Sequence, residues 1–396
     1  MARKQNIFWN KNLQIIYGVT LMSVLGVSSI TPAFPKIVDV LHISANSIGL
    51  LITAFTLPGF LLTPVLGVFA DRVGRKKILV PSLLLFGGAG FVCGFARDFH
   101  LLLLFRFLQG IGGASLGSLN VTLIGDLFTG KTRTSAMGIN ASILSVGTAS
   151  YPFIGGALAT IAWYFPFFLP VFALPIGFIV LFSLNNPEPE REQELKEYLA
   201  SVWMSIKNRK VVGLFIASVV TFIMLYGSFL TYLPILLGQS FNASPIVIGI
   251  ILSSMSVSTA LTSAQLGNLS RRISKGKLIM LAFLFYAAGL FILPFVHNIW
   301  WFFLPTIIFG LGHGVNIPAI QTMFAELAPM KYRGAFMSLN GMVLRFGQTI
   351  GPPLMGLIYA MWGVEATFFA GAAFAVVTFF LIIALIVYQP AKAQDI

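Results

Sequence analysis

A chain of 396 residues that is 57% hydrophobic and only 9% charged is excluded from the class of soluble globular domains, which carry roughly 25% charged residues. Its net charge of +13 is scattered over short breaks between apolar runs, so a bilayer is the expected partner and nucleic acid is not. The single cysteine, Cys93, excludes a disulfide framework within the chain.

The opening MARKQNIFWNKNLQ is basic but lacks a short apolar segment with a small-residue cleavage site. The first apolar run therefore reads as a retained helix. Twelve stretches are long and apolar enough to cross a bilayer as helices, at 13–35, 46–69, 78–96, 100–125, 135–158, 166–184, 211–236, 246–269, 277–296, 300–325, 336–360 and 366–388. They are too continuous for the alternating strands of a membrane barrel. The expected fold is an all-α integral membrane protein, with a first six-helix bundle over 1–184, a linker over 185–210 and a second bundle over 211–396. In the linker, Leu195, Leu199, Val202, Trp203 and Ile206 recur at helical spacing among glutamates. That pattern suits an amphipathic helix on the membrane surface, with a solvated tether as the alternative over its acidic first third.

With the N-terminus placed on the cytoplasmic side, all but four of the 25 lysines and arginines fall in cytoplasmic segments. Lys36 and Arg97 fall on the other side, and Arg106 and Arg345 fall within helices. Such a bias is what the positive-inside rule demands, so both termini are expected to be cytoplasmic.

The halves repeat at a displacement of 200. Gly67, Gly110, Asp126, Arg133, Asn140, Gly147 and Pro152 match Gly267, Gly310, Glu326, Arg333, Asn340, Gly347 and Pro352. Parallel repeats of this kind build carriers whose halves rock about a shared site. Three stretches carry a further likeness. GVFADRVGRKKIL (67–79) resembles the loop signature of the major facilitator superfamily, RFLQGIGG (106–113) its helix-4 signature, and GTASYPFIGGAL (147–158) the helix-5 signature of its antiporters. The ITPAFPKI and IGLLITAF runs resemble the twelve-helix drug:proton antiporter branch. One departure stands out: Tyr151 occupies the glycine position of the usual Gly-Pro pair, while the second copy keeps Gly351-Pro352.

The likeness implies a conformational latch at 67–77. Gly67 is expected to allow close helix contact and Gly74 to adopt a backbone closed to other residues. Asp71 is expected to face the N-terminal end of helix 11, and Arg72 or Arg75 to pair with Asp126, tying the halves together on the cytoplasmic side. The second copy has Arg271 in place of the acid, so the two latches should be unequal. Gly147, Pro152, Gly155 and Gly156 are expected to bend helix 5 and form a close-packing face. Within the membrane, Arg106, Gln109 and Asn120 share a stripe on helix 4, and Arg345 and Gln348 share one on helix 11. Buried arginines mark pathways, or else are satisfied by carbonyls and aromatic faces. None of the 12 acids falls mid-helix. Asp39, at the outer end of helix 1, and His313, with Asn316 beside it on helix 10, are left as proton carriers. Histidine titrates nearest to neutral pH, although a helix histidine also serves as a packing residue.

The reading is a monomeric secondary transporter of the cell membrane that exports amphipathic small molecules by alternating access, coupled to proton entry. Buried cations without buried acids favour neutral or anionic cargo over lipophilic cations. Uptake of a small organic anion, or uniport, is the alternative; a sensor would need a soluble domain. An enzyme is not indicated, nor a metal or cofactor, and no phosphate-binding GxxxxGK[ST] loop occurs. Replacing Asp71 by Ala is expected to cut transport while sparing membrane insertion. Wild-type flux in vesicles would remove the latch.

Overall fold

The computed structural model describes residues 10–185, 208–327 and 333–387, with side chains at 68, 71 and 333–338 left aside. Most of the linker lies outside these residues, as does the amphipathic helix expected there. The described residues form twelve long helical segments, eleven of them long and apolar enough to cross a membrane. The first half contains α1 (Lys11–Val40), α2 (Leu50–Val73), α3 (Arg75–Cys93), α4 (Phe99–Leu127), α5 (Gly130–Ile161) and α6 (Phe165–Ser183). The second contains α7 (Arg209–Phe241), α8 (Pro245–Ala264, continued by Leu266–Arg272), α9 (Lys275–Phe295), α10 (Ile299–Leu327), α11 (Arg333–Trp362) and α12 (Val364–Val387). Of these, α11 is the least apolar, because Asn340, Arg345, Gln348 and the pair Pro352-Pro353 interrupt it.

Several crossings are irregular, and each irregularity has a local cause. Helix α4 breaks at Ala114–Ser115, after the Gly112-Gly113 pair. Helix α7 widens into a π-helical stretch over Met224–Tyr232, a distortion that often marks functional sites. Prolines within α2, α5, α10 and α11 are tolerated because neighbouring helices take up the freed backbone groups.

The turn between α2 and α3 is tighter than the sequence suggests. Helix α2 runs to Val73 and α3 starts at Arg75, so the whole connection is Gly74 with φ of 108°. No side chain adopts that conformation easily. Asp71 and Arg72 thus belong to the last turn of α2. Among the described residues the close helix contact expected at Gly67 is absent: a Cβ there would meet nothing within 4 Å.

The turn at Gly74 and the starts of α5 and α9 mark one end of the bundle, here the basic end. The turns near Asn46, Asn242 and Gly363 mark the far end. Two helix pairs make the most extensive contacts between the halves, α5 with α8 and α2 with α11, and the end of α1 meets α7 and α8 as well. In the first, backbone meets backbone. A Cβ on Gly249 would overlap the Pro152 carbonyl, and one on Gly156 would overlap that of Pro245. Gly155 lies equally tight against Ser29 of α1, and Gly147 faces Leu21 and Val24 of the same helix. Close approach of this sort replaces the hydrophobic drive that lipid removes. The far end is sealed further by Tyr232 stacked on Tyr359, and the Tyr232 hydroxyl donates to the Asn46 carbonyl. Among the described residues, cross-half hydrogen bonds occur at the far end and mid-depth only.

This seam sets up a paired test. Gly249→Val should cost about 1–3 kcal/mol of overpacking and lower the melting temperature in detergent. Gly267→Val, at a position facing open space, should leave it unchanged. Equal losses would contradict the packing described.

Candidate functional site

Four polar clusters in the largely apolar interior hold most of the residues singled out in the sequence. The first surrounds Arg106, about 10 Å along α4 by helical rise. Its side chain is fully buried. Nε donates to the Leu51 carbonyl of α2 at 3.2 Å and Nη1 to Gln109 Oε1 at 2.7 Å, while the guanidinium carbon sits 4.4 Å from the Phe55 ring centroid. A carbonyl, an amide and an aromatic face satisfy most of a buried cation's needs. Arg106 and Gln109, expected to line the pathway, are both fully buried in this state. Both are enclosed between α2 and α4 and line no open surface.

Asn120 belongs to a second cluster, joining α1, α4 and α5. Its Nδ2 donates to Thr20 Oγ1 at 2.9 Å, and Thr20 donates in turn to Asn140 Oδ1 at 2.6 Å. The third cluster is the second half's version. Asn316 Nδ2 on α10 donates to Thr221 Oγ1 of α7 at 2.8 Å and reaches the Tyr286 hydroxyl of α9 at 3.4 Å. That hydroxyl lies 2.9 Å from His313 Nδ1. His313 is half-buried, with the Phe222 ring against its own. His313 and Asn316 thus stand together, whereas Asp39 is exposed at the far end of α1, remote from both.

The fourth cluster spans the two halves. Arg345, roughly 18 Å along α11 by helical rise, sends Nη2 across to the Ala114 carbonyl of α4 at 3.3 Å. One turn further on, Thr349 Oγ1 donates to Thr56 Oγ1 at 3.1 Å, and Thr53 Oγ1 donates to the Thr349 carbonyl at 3.1 Å. Tyr226, in the π-helical stretch of α7, lies within electrostatic reach of the guanidinium. Gln348 is half-buried on the same helix.

At the basic end, Arg75 contacts Asp126 as an ion pair, and so do Lys275 and Glu326. These are the same pair displaced by 200 residues. Each joins two helices within one half, α3 to α4 and α9 to α10. Arg75 thus pairs with Asp126 as expected, but the pair lies within one half and does not tie the halves together. Arg75 starts the helix next to the carboxyl end of α4, so it reaches its own half first. Arg133 reinforces that helix end, donating to the carbonyls of Phe128 and Gly125. The side chain of Asp71, and the start of α11 that it was expected to face, lie outside the described detail.

Thr20, Asn140, Thr221, Tyr286 and the Thr53–Thr56–Thr349 ladder were not foreseen. Hydroxyls at mid-helix are too common in membrane helices to stand out one at a time. The Asn140–Asn340 match was one usable signal.

Twelve long helices in two repeated sextets, sealed at one end around buried polar groups, define a membrane carrier and not an enzyme. The sequence profile of the Major Facilitator Superfamily matches residues 16–239 and 219–395. The chain belongs to that superfamily. Among curated proteins it is 28% identical to Multidrug resistance protein 1 of Bacillus subtilis (strain 168), over 97% of this chain and 98% of that one. It is 27% identical to the Bacillibactin exporter of the same strain, over 94% and 96%. It is 26% identical to Quinolone resistance protein NorA of Staphylococcus aureus (strain COL), over 88% and 90%. Two solved structures share the fold. A bacterial homologue of the human lysosomal transporter Spinster, inward-facing and unoccupied, has a TM-score of 0.82 and 16% identity, covering 98% of this chain and 100% of that one. The nucleoside transporter NupG has a TM-score of 0.79 and 15% identity, covering 96% and 100%.

If Arg106 is a packing element, Arg106→Lys should lower melting temperature and transport together, because one ammonium cannot serve the Leu51 carbonyl and Gln109 as a planar fork does. Lost transport at unchanged stability would return Arg106 to the pathway.

Proposed function

We propose that this protein exports amphipathic small molecules from the cytoplasm across the cell membrane, driven by proton entry, and that it prefers neutral or anionic cargo. The two halves, bounded near 184 and 211, act as the moving bodies. The basic end faces the cytoplasm, because the lysines and arginines concentrate there. Sealing at the far end then corresponds to a state open to the inside, like that of the inward-facing Spinster homologue. The names of the curated relatives, a multidrug resistance protein, a bacillibactin exporter and a quinolone resistance protein, support outward transport.

One observation carries the cargo preference: a half-buried cation, Arg345, stands at the seam between halves while the described acids all lie at helix ends. A lipophilic cation entering this space would meet like charge without a carboxylate to offset it.

The same scarcity of acids directs the proton to His313. Its neighbours are neutral: Tyr286 from α9, Asn316 on its own helix, and Thr221 and Phe222 from α7. In the neutral tautomer whose Nδ1 accepts from the Tyr286 hydroxyl, a proton arriving at the imidazole would turn Nδ1 into a donor toward that oxygen. That reverses the bond and disturbs the Asn316–Thr221 contact linking α10 to α7. Loss of the proton restores it. Binding of the proton is thus tied to the fit of two central helices, as alternating access requires.

A reconstituted system separates the parts. In proteoliposomes with an imposed pH gradient, His313→Gln is expected to cut gradient-driven flux at least tenfold, and substrate counterflow much less. Gradient-driven flux equal to wild type would exclude His313 as the carrier. Wild-type flux indifferent to the gradient would exclude proton coupling itself.

A further inference from the structure

The contact between Arg345 and Ala114 has three features that plain packing does not require. The first is the acceptor. Helix α4 is broken at Ala114–Ser115, so the Ala114 carbonyl stands outside the helical ladder and accepts from side chains: Thr63 Oγ1 of α2 at 2.9 Å and Arg345 Nη2 of α11 at 3.3 Å. The second is the passage. The guanidinium reaches α4 only by lying across α2 at Gly59, where a Cβ would overlap Nη1; Gly117 leaves room on the other side. The third is the repeat. The position equivalent to Arg345 is Ser145, whose hydroxyl donates to Ala141 of its own helix. The equivalents of Gly59 and Ala114 are Thr259 and Gly314. Thr259 donates to the Gly310 carbonyl, and Gly314 accepts from Ser263, both within the second half. The α5–α8 seam therefore closes without a charge. The α2–α11 seam does not need one to pack.

A full cation held at mid-membrane by one carbonyl at 3.3 Å is poorly compensated. Carboxylate, sulfonate or phosphate oxygens form shorter, charge-assisted and often bidentate bonds to guanidinium, and desolvation makes that preference larger. Arg345 is half-buried, so part of its side chain stays accessible.

We propose that Arg345 is a cargo-operated latch: the anionic group of an amphipathic substrate takes the guanidinium away from the Ala114 carbonyl, and this exchange unties α11 from α4. The carbonyl belongs to one half and the arginine to the other. Recognition of the anion and release of the seam are therefore one event. The Thr349–Thr56 and Thr53–Thr349 bonds lie one turn nearer the far end on the same helix pair, so they are next to part. An anion stabilises the released state only to the extent that it binds Arg345 better there. Neutral cargo lacks that differential contact and should open the far end less efficiently.

The proposal rests on the export reading, and one matched pair of compounds separates the two: an aryl amphiphile bearing a carboxylate, and its carboxamide. The far end is reported by maleimide labelling of an Asn46→Cys variant in a Cys93→Ala background, since Asn46 lies beneath Tyr232 and Gly356 in the sealed state. With Arg345 intact, the carboxylate should raise the labelling rate at least threefold more than the carboxamide. In Arg345→Gln, the ratio of kcat/KM for carboxylate over carboxamide should fall at least tenfold, with Arg345→Lys between, because lysine keeps the charge and loses the fork. Equal labelling with the two compounds would overturn the latch, and that comparison needs no substitution at 345. An unchanged kcat/KM ratio in Arg345→Gln would overturn it too. Carboxamide export by the wild type in either case would leave the export reading standing.

Discussion

Positive charge held in a low-dielectric interior without an acid beside it is the constraint around which this protein is arranged. Lipid offers no water, so every guanidinium at depth must find carbonyls, amides or rings. Arg106 finds all three within its own half, although its Nη2 lies buried without a hydrogen-bond partner among the described residues. Arg345 finds one carbonyl, in the opposite half, through a gap that a glycine provides. The same residue type is structural in one place and poised in the other. The difference lies in how completely each cation is satisfied.

That contrast organises the moving parts. Each half is braced internally, by the Asn120–Thr20–Asn140 cluster in one and the His313–Tyr286–Asn316–Thr221 cluster in the other, and by matching ion pairs at the basic end. The ion pair in the second half is exposed enough to be worth little; the one at Arg75 and Asp126 is more sheltered. Contacts between halves are of another kind. They are glycine-mediated backbone approaches and a few long hydrogen bonds, one of them from Arg345, each weak alone and placed at the far end and mid-depth. Rigid bodies joined by weak, local contacts are suited to rocking.

How much of this was legible in the sequence differs from residue to residue. Apolar run lengths anticipated eleven of the helices as membrane spans, because bilayer thickness fixes helix length whatever the packing, whereas α11 is long but less apolar. The displacement of 200 paired Asp126 with Glu326 before their ion pairs were seen. Gly74 was expected to need an unusual backbone and has one, since a one-residue turn between helices leaves few conformations. Gly67 misled, because a glycine on a helix face does not say whether the neighbour is near in the state observed. Arg75 and Asp126 pair as expected, but both lie in the first bundle, so the pair braces that half and does not bridge the two. Arg345 stood out by burial alone, but its acceptor could not be foreseen, since a carbonyl freed by a helix break carries no side-chain signature.

The central claim is that the halves close alternately around a shared polar seam. Spin-label distances in lipid vesicles test it most directly, with one label pair across the halves at the far end and another at the basic end. On adding substrate, the far-end distance should lengthen as the basic-end distance shortens, in the same population of molecules. Both distances changing in the same direction, or neither changing during active transport, would contradict the account.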